Sequence, residues 1–446
     1  MNRTLSQLAI FILIMCSGLS AAAFPLKVKG IDTTRTAVMV FDLTFGRPVV
    51  QANITTPLIP ASIMKAVTSA SVLNLSDSDE RFATPVVAEG KIEGNVLRGN
   101  IVIKVSGDPT IESEHFPEAC HFADSIAAGL RAAGITRVEG RVIVDESGFI
   151  HTGTPAGWMK EDLTWPYGTD LHGANFRDNK FILRLPSRTT EPHVPDLDIR
   201  HINPSARARS VKRHDGSSTI TFSGRIPPKG WSDRLSTPDP SKVMRHEVTE
   251  TLRKAGIEVK GENISPASGF TLIYTHFSPT FDSILRSLMH RSDNMMAEGM
   301  LRAIRPGASR ADAIDEELMI WKDKGISTTG LSIEDGSGLS RNDRLTAQFM
   351  TDVLRSMLGP EYGTDYTSLF PVAGRDGTMR RTFLDTPLEG SVALKTGSMK
   401  GVRSFAGYRF DESGSPTHVI VVIANGLRCS PSELKKGLES LLMEIF

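Results

Sequence analysis

Pro60-Ala61-Ser62-Ile63-Met64-Lys65, continuing with Val67, Ala70 and Leu73 at helical spacing, is the stretch on which the reading of this chain turns. A helix is expected to open after Pro60, and Ser62 and Lys65 then stand on one face, a turn apart. Acyl transfer at neutral pH needs a hydroxyl nucleophile, a base beside it, and donors for the developing oxyanion. Ser62 and Lys65 offer the first two. For Lys65 to act as a base its pKa must fall, through burial and neighbouring positive charge. Alone the motif is weak. Ser432 to Lys435 repeats it in the C-terminal amphipathic helix, where it reads as a solvated face.

Two further motifs lie downstream. Ser292-Asp293-Asn294 follows an apolar helical stretch, Ile284 to Met289. Its serine can relay a proton, and its Asn294 amide can bond both the lysine and a substrate amide. Lys395-Thr396-Gly397-Ser398 sits on an expected strand. There Lys395 can bind a carboxylate, Gly397 lets substrate approach the backbone, and the Ser398 N–H can join that of Ser62 in an oxyanion hole. Taken singly, an Asn in a helix-connecting turn is usually a cap and a Lys-Thr-Gly is usually a strand edge. A looser serine-any-asparagine match also occurs at Ser340 to Asn342. Chance does not readily produce all three motifs in this order.

Around them the chain changes texture. A strand is expected at Ala37-Val38-Met39-Val40-Phe41-Asp42, and strand-like runs separated by Pro, Gly and Ser fill residues 82–269. Within that region two helix-to-strand units look alike, one ending at Gly134-Ile135 and the other at Gly256-Ile257, each glycine suited to a left-handed helix cap. Helices dominate from Phe277 to Leu358. The end reads strand, turn, strand, then a helix opening at Ser430 with Glu433 placed for a capping box. An antiparallel sheet covered by the first and last helices is the natural assembly.

With these motifs the chain resembles a low-molecular-mass class C penicillin-binding protein, of the D-alanyl-D-alanine carboxypeptidase/endopeptidase family. Further stretches carry the likeness: Ser106-Gly107-Asp108-Pro109-Thr110, Asp335-Gly336-Ser337-Gly338-Leu339-Ser340-Arg341, Pro371-Val372-Ala373-Gly374 with Asp376-Gly377-Thr378, and Gly157-Trp158 with Asp162, Trp165 and Tyr167. The resemblance implies an α/β (α+β) fold: a penicillin-binding-protein/β-lactamase-like transpeptidase core, antiparallel sheet plus helical subdomain, with inserted small α+β domains. The core would comprise residues 24–85 and 275–446, and residues 86–274 the insert, two nested units. Ser62 would be the nucleophile and Lys65 its base; Ser292 and Asn294 would be relay and clamp; Lys395, Thr396, Gly397 and Ser398 would bind the terminal carboxylate and complete the oxyanion hole. Asp145 and Arg341 would hold the free end of the substrate's diamino acid. The substrates implied are peptidoglycan stem peptides, with β-lactams as covalent inhibitors and neither metal nor organic cofactor. Met399-Lys400 departs from the neutral residue expected after the Lys-Thr-Gly-Ser motif, which bears on side-chain preference rather than catalysis.

Composition limits the alternatives. The 40% hydrophobic and 23% charged content is that of a soluble globular protein, and 51 basic residues balance 51 acidic ones, so nothing global argues for nucleic acid. Arg3, the apolar run from Leu8 to Met15 and Ala21-Ala22-Ala23 read as a secretory signal over residues 1–23, implying a periplasmic enzyme with no transmembrane anchor once the signal is removed. An anchor on Cys16 is disfavoured by Met15 before it. Cys120 and Cys429 read as separate buried thiols rather than a disulfide. Glu112, His115, Cys120 and His121 cluster but fit no metal template, and no paired His/Asp ligand set stands out. The rivals are a β-lactamase on the same fold, for which no deacylating Glu is evident, and a non-catalytic wall-binding relative.

Overall fold

The first strand, β1 (Thr36–Asp42), is buried along all but its last residue because both of its faces are covered. In the computed structural model, which describes residues 24–213, 217–265 and 269–446, β2 (Arg47–Ala52) runs back beside it. The expected signal, residues 1–23, lies outside the described residues. A 3-10 turn at Ala61–Ile63 leads into α1 (Met64–Leu75). Strands β3 (Ala83–Glu93) and β4 (Val96–Lys104) precede α2 (Phe122–Ala132), β5 (Arg137–Val138) and β6 (Val142–Asp145). Then come β7 (Lys180–Leu185), β8 (Thr189–Glu191), β9 (Asp198–Asn203), β10 (Ser210–Arg213), β11 (Thr219–Ser223) and β12 (Trp231–Ser236). These are followed by α3 (Pro240–Lys254), β13 (Glu258–Val259) and β14 (Phe270–Phe277). Helices α4 (Phe281–Arg291), α5 (Asn294–Ala303), α6 (Arg310–Asp323), α7 (Ala347–Ser356) and α8 (Gly363–Ser368) come next. The chain closes on β15 (Val392–Met399), β16 (Val402–Phe410), β17 (Pro416–Asn425) and α9 (Pro431–Ile445). No helix among the described residues is long and apolar enough to cross a membrane.

The order β15-β16-β17-β1-β2 makes one antiparallel sheet joining the two ends of the chain. Alternation along its strands fills two cores. Ala37, Met39, Val421 and Ile423 pack on one side with Ala66, Val67 and Ala70 of α1. Val38, Val40, Ile420 and Val422 pack on the other with Leu434, Leu438 and Leu442 of α9. Each such leucine contributes about 2 kcal/mol of burial. The first and last helices do cover the sheet, as the apolar pattern predicts. The capping box at Ser430 and Glu433 is present, with Ser430 N–H donating to Glu433 Oε2 at 2.7 Å.

The chain leaves this sheet and returns to it side by side, because β3 and β14 pair antiparallel with Thr84 opposite His276. They belong to a second sheet ordered β13-β5-β4-β3-β14, with β6 also on β4. The two look-alike units meet here: α2 packs on α3, and β5 pairs parallel with β13. Gly134 (φ 74°) and Gly256 (φ 79°) close their helices in the left-handed conformation. Ile135 N–H reaches Leu130 O and Ile257 N–H reaches Leu252 O, both at 2.9 Å. Two three-stranded sheets, β10-β11-β9 and β12-β7-β8, complete the region. Cys120 and Cys429 are free thiols, as expected, but only half-buried.

A Cβ on Gly134 or Gly256 meets nothing within 4 Å, so alanine there pays only for left-handed backbone, about 1 kcal/mol each. On Gly99 of β4 the same Cβ collides with the Glu89 carbonyl oxygen of β3. Urea unfolding is expected to show small, near-equal midpoint losses for Gly134→Ala and Gly256→Ala and a much larger one for Gly99→Ala.

Candidate active site

Ser62 sits in the 3-10 turn that precedes α1, and Lys65 in the first turn of that helix. Lys65 is fully buried, and its Nζ donates to Ser62 Oγ at 3.2 Å, Asn294 Oδ1 at 2.6 Å and Ser337 O at 2.6 Å. Burial lowers its pKa to about 8. The expectation that positive charge assists this shift is corrected: the named neighbours are carboxylates, Asp335 first, then Asp293, Glu298 and Asp343, and each raises it. Desolvation outweighs all four. Lys395 is equally buried, and burial, then Lys65 and Arg403, hold it well below the ordinary lysine value.

Ser292 closes α4 at φ 61°, ψ 39°, a left-handed conformation that a non-glycine residue adopts only at some cost. The turn brings its Oγ to 2.8 Å from Lys395 Nζ. Asp293 caps α5 by accepting from Met296 N–H at 2.8 Å. The capping role therefore belongs to Asp293, and the buried Asn294 is free to hold Lys65 while its Nδ2 donates to Tyr167 O at 2.7 Å.

On β15, Lys395 Nζ also donates to Thr396 O at 2.9 Å, and Thr396 Oγ1 to Thr378 Oγ1 at 3.0 Å. A Cβ on Gly397 would lie 2.8 Å from Pro60 O and collide with Ser404 Oγ. Gly397 is thus required for β15 to lie against the turn carrying Ser62, a role that the reading of this glycine as a substrate-approach residue did not anticipate. Ser404 Oγ donates to Pro60 O and fastens the same turn from β16. Ser398 is exposed at the end of β15.

Residues without an assigned role complete the arrangement. Glu298, one turn beyond Asn294 on α5, accepts from Gly336 N–H at 3.1 Å and Ser337 N–H at 3.0 Å through Oε1. Asp335 accepts from Gly338 N–H at 2.6 Å, Ser340 N–H at 2.7 Å and Trp158 Nε1–H at 2.7 Å. Together they hold Ser337 O over Lys65. The i, i+4 spacing of Asn294 and Glu298 was the available signal. Of the two substrate candidates, Arg341 lies at the site's edge, its Nη1 donating to Lys400 O at 3.4 Å in the turn after β15. Asp145 ends β6, where it accepts from Ser147 N–H at 3.0 Å and lies 3.5 Å from Lys104 Nζ.

The profile of the D-Ala-D-Ala carboxypeptidase 3 (S13) family matches residues 25–443. The chain belongs to this family. Its activity is that of a serine-type D-alanyl-D-alanine carboxypeptidase, a hydrolase. Among similar S13-type proteins, D-alanyl-D-alanine carboxypeptidase DacB of Haemophilus influenzae is 26% identical over 409 residues, covering 86% of this chain and 84% of that one. The D-alanyl-D-alanine carboxypeptidase of Actinomadura sp. is 28% identical over 424 residues, covering 86% and 76%. The solved structure of penicillin binding protein 4 (dacB) from Haemophilus influenzae superposes with a TM-score of 0.81 over 96% of this chain and 99% of that one, at 23% identity. The fold expected from the motifs is the fold observed.

Beneath the site lie acids that burial pushes toward the protonated form: Glu298 up to about 7 and Glu317 up to about 8. Glu317 Oε1 accepts from Ser71 Oγ of α1 at 3.0 Å. Because the ordinary value is 4.5, the unfolded chain ionises this carboxyl first. Its stabilisation is therefore full below the ordinary value and lost as pH rises through about 8, with a slope of at most about 1.4 kcal/mol per pH unit. Glu317→Gln keeps the acceptor for Ser71. Thermal melts across this range are expected to show a flatter pH dependence in the variant than in the parent.

Proposed function

We propose that Ser62 is the acyl nucleophile of an exported enzyme that trims D-alanine from peptidoglycan stem peptides. The contact of Lys65 Nζ with Ser62 Oγ, inside a cage of Asn294 and Ser337, is the observation that carries this reading. As the free base, Lys65 takes the Ser62 proton while Oγ bonds to the carbonyl carbon of the penultimate D-alanine. The N–H groups of Ser62 and Ser398 hold the oxyanion. When the C–N bond breaks, the leaving nitrogen takes a proton through Ser292, whose hydroxyl is bonded to Lys395. Free D-alanine departs. Water then attacks the ester carbonyl, Lys65 takes a proton from it, and that proton passes to Ser62 Oγ as the C–Oγ bond breaks. Lys395, Thr396 and Ser398 receive the terminal carboxylate, and Asn294 aligns the peptide amide. If the leaving amine belongs to a neighbouring stem, the same steps cut a cross-link as an endopeptidase.

A β-lactam presents a ring-strained amide to Ser62 in place of the peptide bond, so covalent inhibition is part of the proposal. A similar solved structure, penicillin binding protein 4 from Haemophilus influenzae, is complexed with a β-lactam. The positive, apolar, small pattern of residues 1–23 supports export to the periplasm. Residues 86–274 are proposed as the insert that shapes substrate choice, with 24–85 and 275–446 as the catalytic core.

Digestion of purified peptidoglycan, with released muropeptides identified by mass, tests the activity. Loss of terminal D-alanine is expected, and intact pentapeptide stems would refute it. Ser62→Ala should abolish labelling by a fluorescent penicillin. Lys65→Arg should be nearly as damaging as Lys65→Ala, since a guanidinium keeps the charge but cannot serve as base. In the parent, the acylation rate should rise with pH through about 8, the value to which burial brings Lys65.

The diamino acid contacts are testable separately. Arg341→Ala and Asp145→Ala should spare penicillin labelling and lower kcat/KM on a diaminopimelate-containing stem peptide several-fold, about 1 kcal/mol for a partly solvated contact. Equal losses on both substrates would mean damage to the core site. Retention of full peptide activity in Asp145→Ala would leave that carboxylate to Ser147 and Lys104.

A further inference from the structure

The loop after β6 and the segment after Tyr167 bring two imidazoles and a carboxylate together. The ligand-capable atoms of His151, Asp170 and His172 all lie within 4.8 Å of one another. The His151 and His172 rings stack with centroids 4.9 Å apart at 27°. Nothing in the sequence spacing announces this set, which only the fold assembles.

The carboxylate is divided in a way that suits a ligand. Asp170 Oδ1 accepts from Leu171 N–H at 3.0 Å and lies 3.6 Å from Arg310 Nη2. Its Oδ2 points to His151 Nε2 at 3.0 Å. Metal-bound carboxylates are oriented by such partners on the oxygen that does not bind. Two imidazoles and one carboxylate are a donor set for zinc, with bonds of about 2.0–2.2 Å. His151 is half exposed, so its ring has room to turn toward the other two groups. All three residues line a cavity of about 860 Å³, which leaves room for water at the open coordination position. Among the described residues the other cluster of metal-binding types, Glu114, His115 and Asp178, is already served by a cation. Lys180 Nζ lies 2.7 Å from Glu114 Oε1 and 3.0 Å from Asp178 Oδ2.

We propose that His151, Asp170 and His172 bind one zinc ion that ties together the two loops framing the acylation site. One loop carries Trp158 to Asp335 and the other carries Tyr167 O to Asn294. The ion takes no part in acyl transfer, and its role is to fix these loops.

The test uses the full mature chain stripped with chelator and titrated with zinc chloride by calorimetry, with cobalt(II) as a spectroscopic probe. One equivalent should bind at micromolar or tighter affinity, cobalt should give visible ligand-field bands, and saturating zinc should raise the melting temperature by a few degrees. His172→Ala and the more exposed His151→Ala should each weaken binding about ten-fold or more while Ser62 still labels with penicillin, which certifies the fold. His115→Ala should bind as the parent does. Absence of saturable binding would overturn the proposal and leave a His151–Asp170 ion pair. So would unchanged affinity in both histidine variants, or loss confined to His115→Ala.

Discussion

A buried ammonium organises this molecule. Withdrawing a lysine from water costs several kcal/mol even after the protein relaxes, and only well-placed acceptors offset it. Lys65 has three: the hydroxyl of its own helix start, a side-chain amide from α5, and the Ser337 carbonyl from the loop between α6 and α7. The last two come from segments remote in sequence, so the lysine can be accommodated only when both have docked on its helix start. The same desolvation leaves the amine easily deprotonated. One burial thus serves both assembly and reactivity.

The acceptors are themselves held by acids, and this keeps the balance from tipping. Four ionised carboxylates near Lys65 would restore its proton, and Glu298 and Asp343 escape that by being pushed toward the neutral form. Glu298 spends its Oε1 on two amide protons instead of on the lysine. Local rules are broken here as well. Ala61 and Ser292, like several loop residues elsewhere, adopt positive φ without being glycine, one beside Ser62 and one bonded to Lys395. Such backbone costs are tolerated where the surrounding structure over-determines them.

Much of this was legible beforehand. Continuous apolar runs announce β1 and β17, and the Gly134 and Gly256 units are visible as local chemistry. The three motifs single out Ser62, Lys65, Ser292, Asn294 and Lys395, and the fold brings these side chains into hydrogen-bond contact. What stayed hidden depends on distance in space. Glu298 is an ordinary helical glutamate until the 335–340 loop folds against it. The sign of the electrostatics around Lys65 needs burial and neighbours together. Gly397 reads as a substrate-facing glycine, and only the docked Pro60 carbonyl reveals why a side chain is forbidden there.

The segment between β6 and β7 deserves a different account from that of a passive insertion. Trp158 Nε1–H fills one acceptor site of Asp335, and Tyr167 O accepts from the Nδ2–H of Asn294. Both target atoms belong to the cage around Lys65, and a buried polar atom without a partner costs about 1–3 kcal/mol. A chain shortened to the five-stranded sheet and its helices would leave Asp335 and Asn294 to find water in a space sized for an indole and a peptide. The loop therefore completes the acylation site as well as bordering it. Any change in how it is anchored, at Asp170 and Arg310 in particular, reaches Lys65 by way of Glu298, whose Oε2 lies 3.5 Å from Arg310 Nε.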